Sequence, residues 1–343
     1  MNSAKLFLRG VFRNLFLCIP QVRRLCDSRD TLSERLAICE AQKTSRSPFF
    51  HYNASFDPQE IIRKFEVTDR QGKKGYYTNF MGVRTAVKYF PSFLTQMDGL
   101  VEAIPIPANW HADIAEWGAA LRAVELARGK FTIIELGCGW GCWMNNTGVA
   151  ARMVGLDVHL IGVEGDEAHI ESAREACAVN GFRPDQVTLN RGIAASTAGI
   201  ALFPRVENGA DQWGLEPVFG ASEEQRREAT RSGHFDELPM ITLDEIAAPH
   251  DRIDLLHVDI QGGEVDLIGG CLPLINEKVA YLLVGTHSRQ IDGRLMDMML
   301  NAGWKLEIER PTIFTIDAGG IPCVTVDGVQ GWRNPKIING MSN

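Results

Sequence analysis

The sequence has no run of about 18 consecutive apolar residues, the length a membrane-spanning helix needs. It also lacks metal-type cysteine spacing. The eight cysteines are Cys18, Cys26, Cys39, Cys138, Cys142, Cys177, Cys271 and Cys323. No Cys-x-x-Cys pair or Cys/His group at ligand spacing occurs among them. That argues against a zinc site and for free thiols in a reducing, cytoplasmic setting. Basic residues are in the minority, 35 Lys and Arg against 43 Asp and Glu, for a formal net charge of -8. Nucleic-acid binding rests on neutralising phosphates, so this balance argues against it. Internal repeats and low-complexity tracts are missing as well.

What is present suits a folded enzyme. Hydrophobic residues make up 45% of the 343 and charged residues 23%, enough for a substantial core in one large domain or two. Charge is uneven: residues 1–26 hold Lys5, Arg9, Arg13, Arg23 and Arg24 and no acid. Within residues 4–19, Leu8, Val11, Phe12, Leu15, Phe16 and Ile19 recur at helical spacing beside Lys5, Arg9 and Arg13. This predicts a basic amphipathic helix ended by Pro20. Such a helix can lie on an anionic membrane surface, or dock on its own domain or on a partner subunit of an oligomer. A second, polar helix is expected over residues 30–42 and a linker over 44–48.

The chain divides into a helical segment (1–47), an extension (48–115), a core domain (116–330) and a tail (331–343). In the core, apolar strands at 131–136, 158–164, 186–189, 253–259 and 279–286 alternate with helices at 143–154, 167–179, 264–275 and 291–302. Alternation of this kind predicts a doubly wound, mostly parallel α/β sheet, here of seven strands. Strands at 304–309 and 321–326 have no helix between them and are expected to close the sheet as an antiparallel hairpin. Residues 205–240 read as a polar insertion without clear period.

The sharpest chemical signal is Glu135-Leu136-Gly137-Cys138-Gly139-Trp140-Gly141 at the end of the first strand. Gly137, Gly139 and Gly141 let the backbone bend tightly and approach a ligand. A dinucleotide site expects G-x-G-x-x-G, whose helix N-terminus holds a pyrophosphate. The spacing here is G-x-G-x-G with an acid ahead of it. That suits S-adenosylmethionine, which carries an ammonium and a sulfonium and no phosphate, with Glu135 contacting it directly or through water. Glu164, ending the second strand, is placed to accept the two ribose hydroxyls, whereas Asp166 reads better as a helix cap. The loop after the third strand, with Ile193, is expected to wall the adenine.

The fourth strand ends in Val258-Asp259-Ile260-Gln261-Gly262-Gly263-Glu264, at the edge where open α/β sheets bind ligands. Asp259 and Gln261 are expected to face the cleft near the transferred methyl, where Asp259 could position or deprotonate a hydroxyl. His287, after the fifth strand, could take that proton. Glu264 either orients the Asp259 loop or caps the next helix. The insertion, with Trp213 and Phe219, is either a lid that excludes water or a surface loop. His257 alternates with core residues and reads as buried structure. Cys138 and Cys142 read as packing residues. No metal site is expected.

These residues resemble the FkbM-type methyltransferases, a class I Rossmann-like family. The resemblance covers roughly 130–310 and rests on the glycine loop, on Glu164, on Val258-Asp259-Ile260-x-Gly262-x-Glu264 and on His287. Gln261 stands where the family usually has an acid. The resemblance implies S-adenosylmethionine-dependent methylation of a hydroxyl on a saccharide, glycan or related metabolite. The competing readings are a nicotinamide-dependent oxidoreductase, which the loop spacing disfavours, and a non-catalytic module that retains the fold.

Overall fold

The structure is a computed structural model that describes residues 52–206 and 213–339. The expected helices at 4–19 and 30–42 and the linker at 44–48 lie outside the described residues. So do Cys18, Cys26 and Cys39.

The described chain opens with strand β1 (Asn53–Ala54), helix α1 (Pro58–Lys64), the hairpin strands β2 (Tyr76–Thr78) and β3 (Arg84–Ala86), and helix α2 (Ile114–Leu126). Asp57 starts α1 by accepting the amides of Gln59 and Glu60, and Asp113 starts α2 through Ala115 and Glu116. Each aspartate satisfies donors that a helix start leaves without partners. The core then alternates: β4 (Lys130–Leu136), α3 (Cys142–Met153), β5 (Asp157–Glu164), α4 (Glu167–Val179), β6 (Val187–Arg191). Next come β7 (Ile193–Ala195), β8 (Gly199–Pro204), α5 (Glu223–Ser232), β9 (Phe235–Thr242), α6 (Leu243–Ala247) and β10 (Leu255–Val258). The chain continues with α7 (Glu264–Gly270), α8 (Leu272–Lys278), β11 (Tyr281–Thr286) and α9 (Arg289–Asn301). It finishes with β12 (Lys305–Arg310), β13 (Ile313–Ile316), β14 (Pro322–Val326), β15 (Gly328–Arg333) and α10 (Pro335–Asn339).

The main sheet runs β1-β12-β15-β11-β10-β4-β5-β6. From β11 to β6 all neighbours are parallel, and β15 enters antiparallel between β11 and β12. Side chains of β4 alternate between two cores. Phe131 and Ile133 pack with Trp117, Leu121 and Trp143 on one face. Ile134 and Leu136 pack with Leu256, Val258 and Ile268 on the other. Strands covered on both faces need this unbroken apolar composition. Ile133 and Ile134 are both at 0% exposure, and each such burial is worth about 1.5–3 kcal/mol over leaving the side chain in water.

Register positions the chemistry. Leu136 pairs with Val163 on one side and with Val258 on the other. Gly137, Glu164 and Asp259 are the next residues on those three strands, so they emerge at one level of the sheet edge.

The mixed α/β architecture and the antiparallel C-terminal hairpin are present, with four differences from the pattern reading. The sheet has eight strands, because two-residue β1 pairs with β12 through Asn53↔Glu309. The hairpin is β13 with β14. β12 pairs instead with β15, whose Gly328-Val329-Gln330-Gly331 start lacks the alternation that marks a strand, although five of its six residues are buried as in a fully covered central strand. The 205–240 segment also holds regular structure: β8 and β9 pair antiparallel, β9 pairs with β7, and Ser222 and Gln225 form a capping box on α5. Finally, the helix expected at 264–275 is two, α7 and α8, broken at Cys271 ahead of Pro273, where a missing amide stops the ladder. Among the described residues no helix is long and apolar enough to cross a membrane, and the described residues form one compact unit.

Candidate active site

A cleft of about 920 Å³ opens at this strand edge, between Gly137 and Gly139 of the bend, Glu164, Ile193, Trp213, and the Asp259–Gly263 loop. Its size falls within the ~300–1,000 Å³ of small-molecule sites. The bend is tight enough to need its glycines. Gly137 has φ +74°, and a Cβ there would sit 2.0 Å from the Asp259 carbonyl oxygen. Gly139 has φ +51°, and its Cβ would sit 2.5 Å from the Trp213 ring. Trp213 in turn stacks on His169, with centroids 4.2 Å apart and planes 12° apart, and lies 5.2 Å from Phe90.

Two residues expected to touch a ligand point elsewhere. Gly141 does not line the cleft. It starts α3 in the left-handed conformation with φ +75°, and a glycine there offers no side chain to cap the helix. Glu135 supplies the cap from β4, its carboxylate accepting the amides of Trp143 at 3.1 Å and Met144 at 2.8 Å. Helix N-termini attract carboxylates through those unpaired donors, and this one takes both Glu135 oxygens inward, away from the cleft. Burial pushes the Glu135 carboxyl up to about 8, against the lowering effect of the two amides. His257 is buried as expected, 3.7 Å from Glu135, and burial lowers it to about 4. Burial also raises the Cys138 and Cys142 thiols, as suits packing residues rather than nucleophiles.

Glu164 does line the cleft. One oxygen accepts the Gly139 amide at 2.9 Å and the other the Asp166 amide at 2.9 Å, so the glycine bend holds the carboxylate in a fixed orientation. Asp166 caps α4 through His169. Ile193 forms part of the apolar wall with Phe203 and Leu215.

On the opposite wall Asp259 is backed by His287 and Glu264. His287 Nε2 lies 3.3 Å from Asp259 Oδ1 and Nδ1 lies 2.8 Å from Glu264 Oε1. Glu264 is fully buried at 0% exposure, and the same oxygen accepts the Ile260 and Gly262 amides. Glu264 therefore ties the loop that carries Asp259 to the imidazole behind it. Burial alone would lower His287, but hydrogen bonds to Asp259 and Glu264 outweigh it and raise the ring to about 10. Burial alone would raise Asp259, and the His287 partner instead holds it below the usual carboxylate value. His287 does not line the cleft and is held as an imidazolium. The reading of it as proton acceptor gives way to one in which it is the cation behind Asp259.

Asp259, Glu264 and His287 bring ligand-type atoms within 4.8 Å of one another, a cluster of the kind that can hold a metal ion, where the sequence pointed to none. Of the two readings of Glu264, orientation of the Asp259 loop is the one its hydrogen bonds to Ile260 and Gly262 bear out. The available signal was an acid opening a helix directly after Gly262-Gly263.

The charge of the cleft is one-sided. Among the described residues its lining includes Glu164, Asp166, Glu216, Asp259 and Asp266 and no lysine or arginine.

Comparison with known proteins follows the same line. Residues 141–305 match the model of the methyltransferase FkbM domain. A protein of Jannaschia sp. (strain CCS1) described as "Putative methyltransferase" is 45% identical over 277 residues, spanning 80% of this chain and 98% of that one. Among solved structures, the methyltransferase FkbM of Methylobacillus flagellatus KT aligns at 12% identity and a TM-score of 0.39. That alignment covers 64% of this chain and 54% of that chain, about half its length. On the family match and the extent of the Jannaschia similarity, the chain belongs to the FkbM methyltransferase family.

Proposed function

We propose that the protein is an S-adenosylmethionine-dependent O-methyltransferase acting on a hydroxyl of a saccharide, glycan or related metabolite. The observation that carries this reading is the cleft's charge: among the described residues five acids and no lysine or arginine line it. A pyrophosphate-bearing dinucleotide would be repelled by such a wall, while a cationic, phosphate-free nucleoside would be attracted. The residues fit that group. Glu164, already oriented by two amides, offers its carboxylate to the ribose hydroxyls. Ile193, Phe203 and Leu215 offer an apolar face for the base. Gly137 and Gly139 line the same cleft.

S-adenosylmethionine supplies an electrophilic methyl group on a sulfonium. The chain's residues provide alignment and a destination for a proton. Asp259 lies at the cleft wall with its side chain 38% exposed, so it can accept a hydrogen bond from the acceptor hydroxyl. It takes the proton as that oxygen gains the methyl. His287 and Glu264 hold the carboxylate in place and keep it ionised until then. Trp213 adds a flat aromatic face to the same lining, a mixture suited to a hydroxylated ring.

The test is to incubate the protein with S-adenosylmethionine and a panel of nucleotide sugars and glycans, reading the products by mass. A product heavier by one methylene, absent with Asp259→Asn, supports the reading. Transfer to nitrogen or carbon acceptors alone overturns the hydroxyl assignment.

A further inference from the structure

Gln261 is the only non-glycine residue with positive φ among the described residues, at +58°. Left-handed backbone is disfavoured for a side chain of this kind and persists where the surroundings impose it, most often at functional sites. The surroundings are explicit here. Glu264 Oε1 fixes the loop by accepting the amides of Ile260 and Gly262, on either side of Gln261. The backbone turn sends the Gln261 carboxamide into the cleft. Its Nε2 lies 3.4 Å from Asp259 Oδ1 and donates to it. On its other side stands Gly214, where an added Cβ would come within 3.0 Å of Gln261 Oε1, so the carboxamide fills the space a side chain would need there. Gly214 follows Trp213, whose ring covers Gly139 and stacks on His169.

We propose that Gln261 is a positioning residue: its carboxamide is a strut between the Asp259 carboxylate and the Trp213-Gly214 roof over the glycine bend, and the left-handed backbone is kept because it alone aims the amide across that gap. The strut keeps the roof down on the bound nucleoside and sets Asp259 at the reacting edge. The inference rests on the cofactor reading above. A neutral amide suits the position. It donates to Asp259, whereas an acid would add a third negative charge beside Asp259 and Glu264.

Two variants separate the side chain from the backbone, with S-adenosylhomocysteine as the probe. Gln261→Ala removes the amide and keeps a side chain in the left-handed position. Gln261→Gly removes the amide and relieves the backbone. Calorimetric affinity, stopped-flow tryptophan fluorescence for dissociation, and melting temperature are measured for both. The strut predicts that both variants bind about tenfold more weakly through faster dissociation, although Gln261→Gly melts above the wild type. Wild-type affinity and dissociation in Gln261→Ala overturn the strut, as does full binding restored by Gln261→Gly, since either makes the residue a turn position only. If the wild type itself fails to bind S-adenosylhomocysteine, the cofactor reading falls and the strut with it. If the wild type binds and the variants match it, only the strut falls.

Discussion

Glu264 and His287 meet at 2.8 Å in the interior, a fully buried carboxylate accepting from an imidazole Nδ1. The pair joins the start of α7 to the end of β11, two elements separated in sequence by more than twenty residues. Breaking one side of a buried pair leaves the other charge uncompensated, which costs about 3–5 kcal/mol. His287 keeps Asp259 at 3.3 Å as a second partner, so Glu264→Ala should lose part of that in denaturant unfolding at neutral pH. Glu264→Gln, which keeps the shape, should lose less and should lower the His287 titration toward its ordinary value, as read by NMR of the ring. An unchanged His287 titration in Glu264→Gln contradicts the pairing.

Stability should fall between neutral pH and pH 10. His287 is raised from 6.5 to about 10 by Asp259 and Glu264, against burial. Its contribution is complete below 6.5 and is lost as pH rises through about 10. Glu135 and Glu116, pushed by burial from 4.5 up to about 8, act with the same sign: the fold resists their ionisation, so it weakens as pH rises to 8. Urea unfolding from pH 7 to pH 10 measures the slope. His287→Asn should flatten its upper part, between 8 and 10, and an unaltered slope in that variant would count against the imidazolium.

Glu135 is expected to matter for folding more than for binding. Both its oxygens satisfy amides at the start of α3, and leaving such buried donors unpaired costs about 1–3 kcal/mol each. Glu135→Ala should therefore melt well below the wild type. Where it remains folded, its affinity for S-adenosylhomocysteine should stay within a few-fold. A large loss of affinity at unchanged stability reverses that assignment.

These cases show what was legible in the sequence. The alternation of apolar strands with helices gave the parallel half of the sheet, because strands buried on both faces are written as continuous apolar runs. Gly137, Gly139, Glu164, Ile193 and Asp259 were located because their loops follow such strands at the ligand-binding edge. Glu135 and Gly141 belong to the same motif, yet their roles differ. Whether a carboxylate at a strand end faces the cleft or the next helix depends on which unpaired donors lie nearer, and that is a property of packing. β15 was not legible, since a strand with Gly328 and Gly331, covered on both sides by neighbours, carries no period-two pattern. Gln261 was visible as a departure from the family pattern, but its left-handed backbone and its contact with Gly214 come only from the fold.

Glu164 and Asp259 should divide binding from turnover. Glu164→Ala removes acceptors for two charge-assisted hydrogen bonds, each worth about 1.5–3 kcal/mol, so the affinity for S-adenosylhomocysteine should drop by at least about tenfold. Asp259→Asn should bind the same compound within a few-fold while the transfer rate falls by about 10²–10⁴, the range for a positioned proton acceptor. Equal losses of binding in both variants contradict the division.

The central claim is that an acid-lined cleft without lysine or arginine selects a cationic, phosphate-free nucleoside cofactor. Titration calorimetry of the purified protein with S-adenosylmethionine, S-adenosylhomocysteine and NAD tests it directly. The account predicts saturable binding of the first two, weakened by Glu164→Ala, and no binding of NAD. Binding of NAD in their place contradicts it.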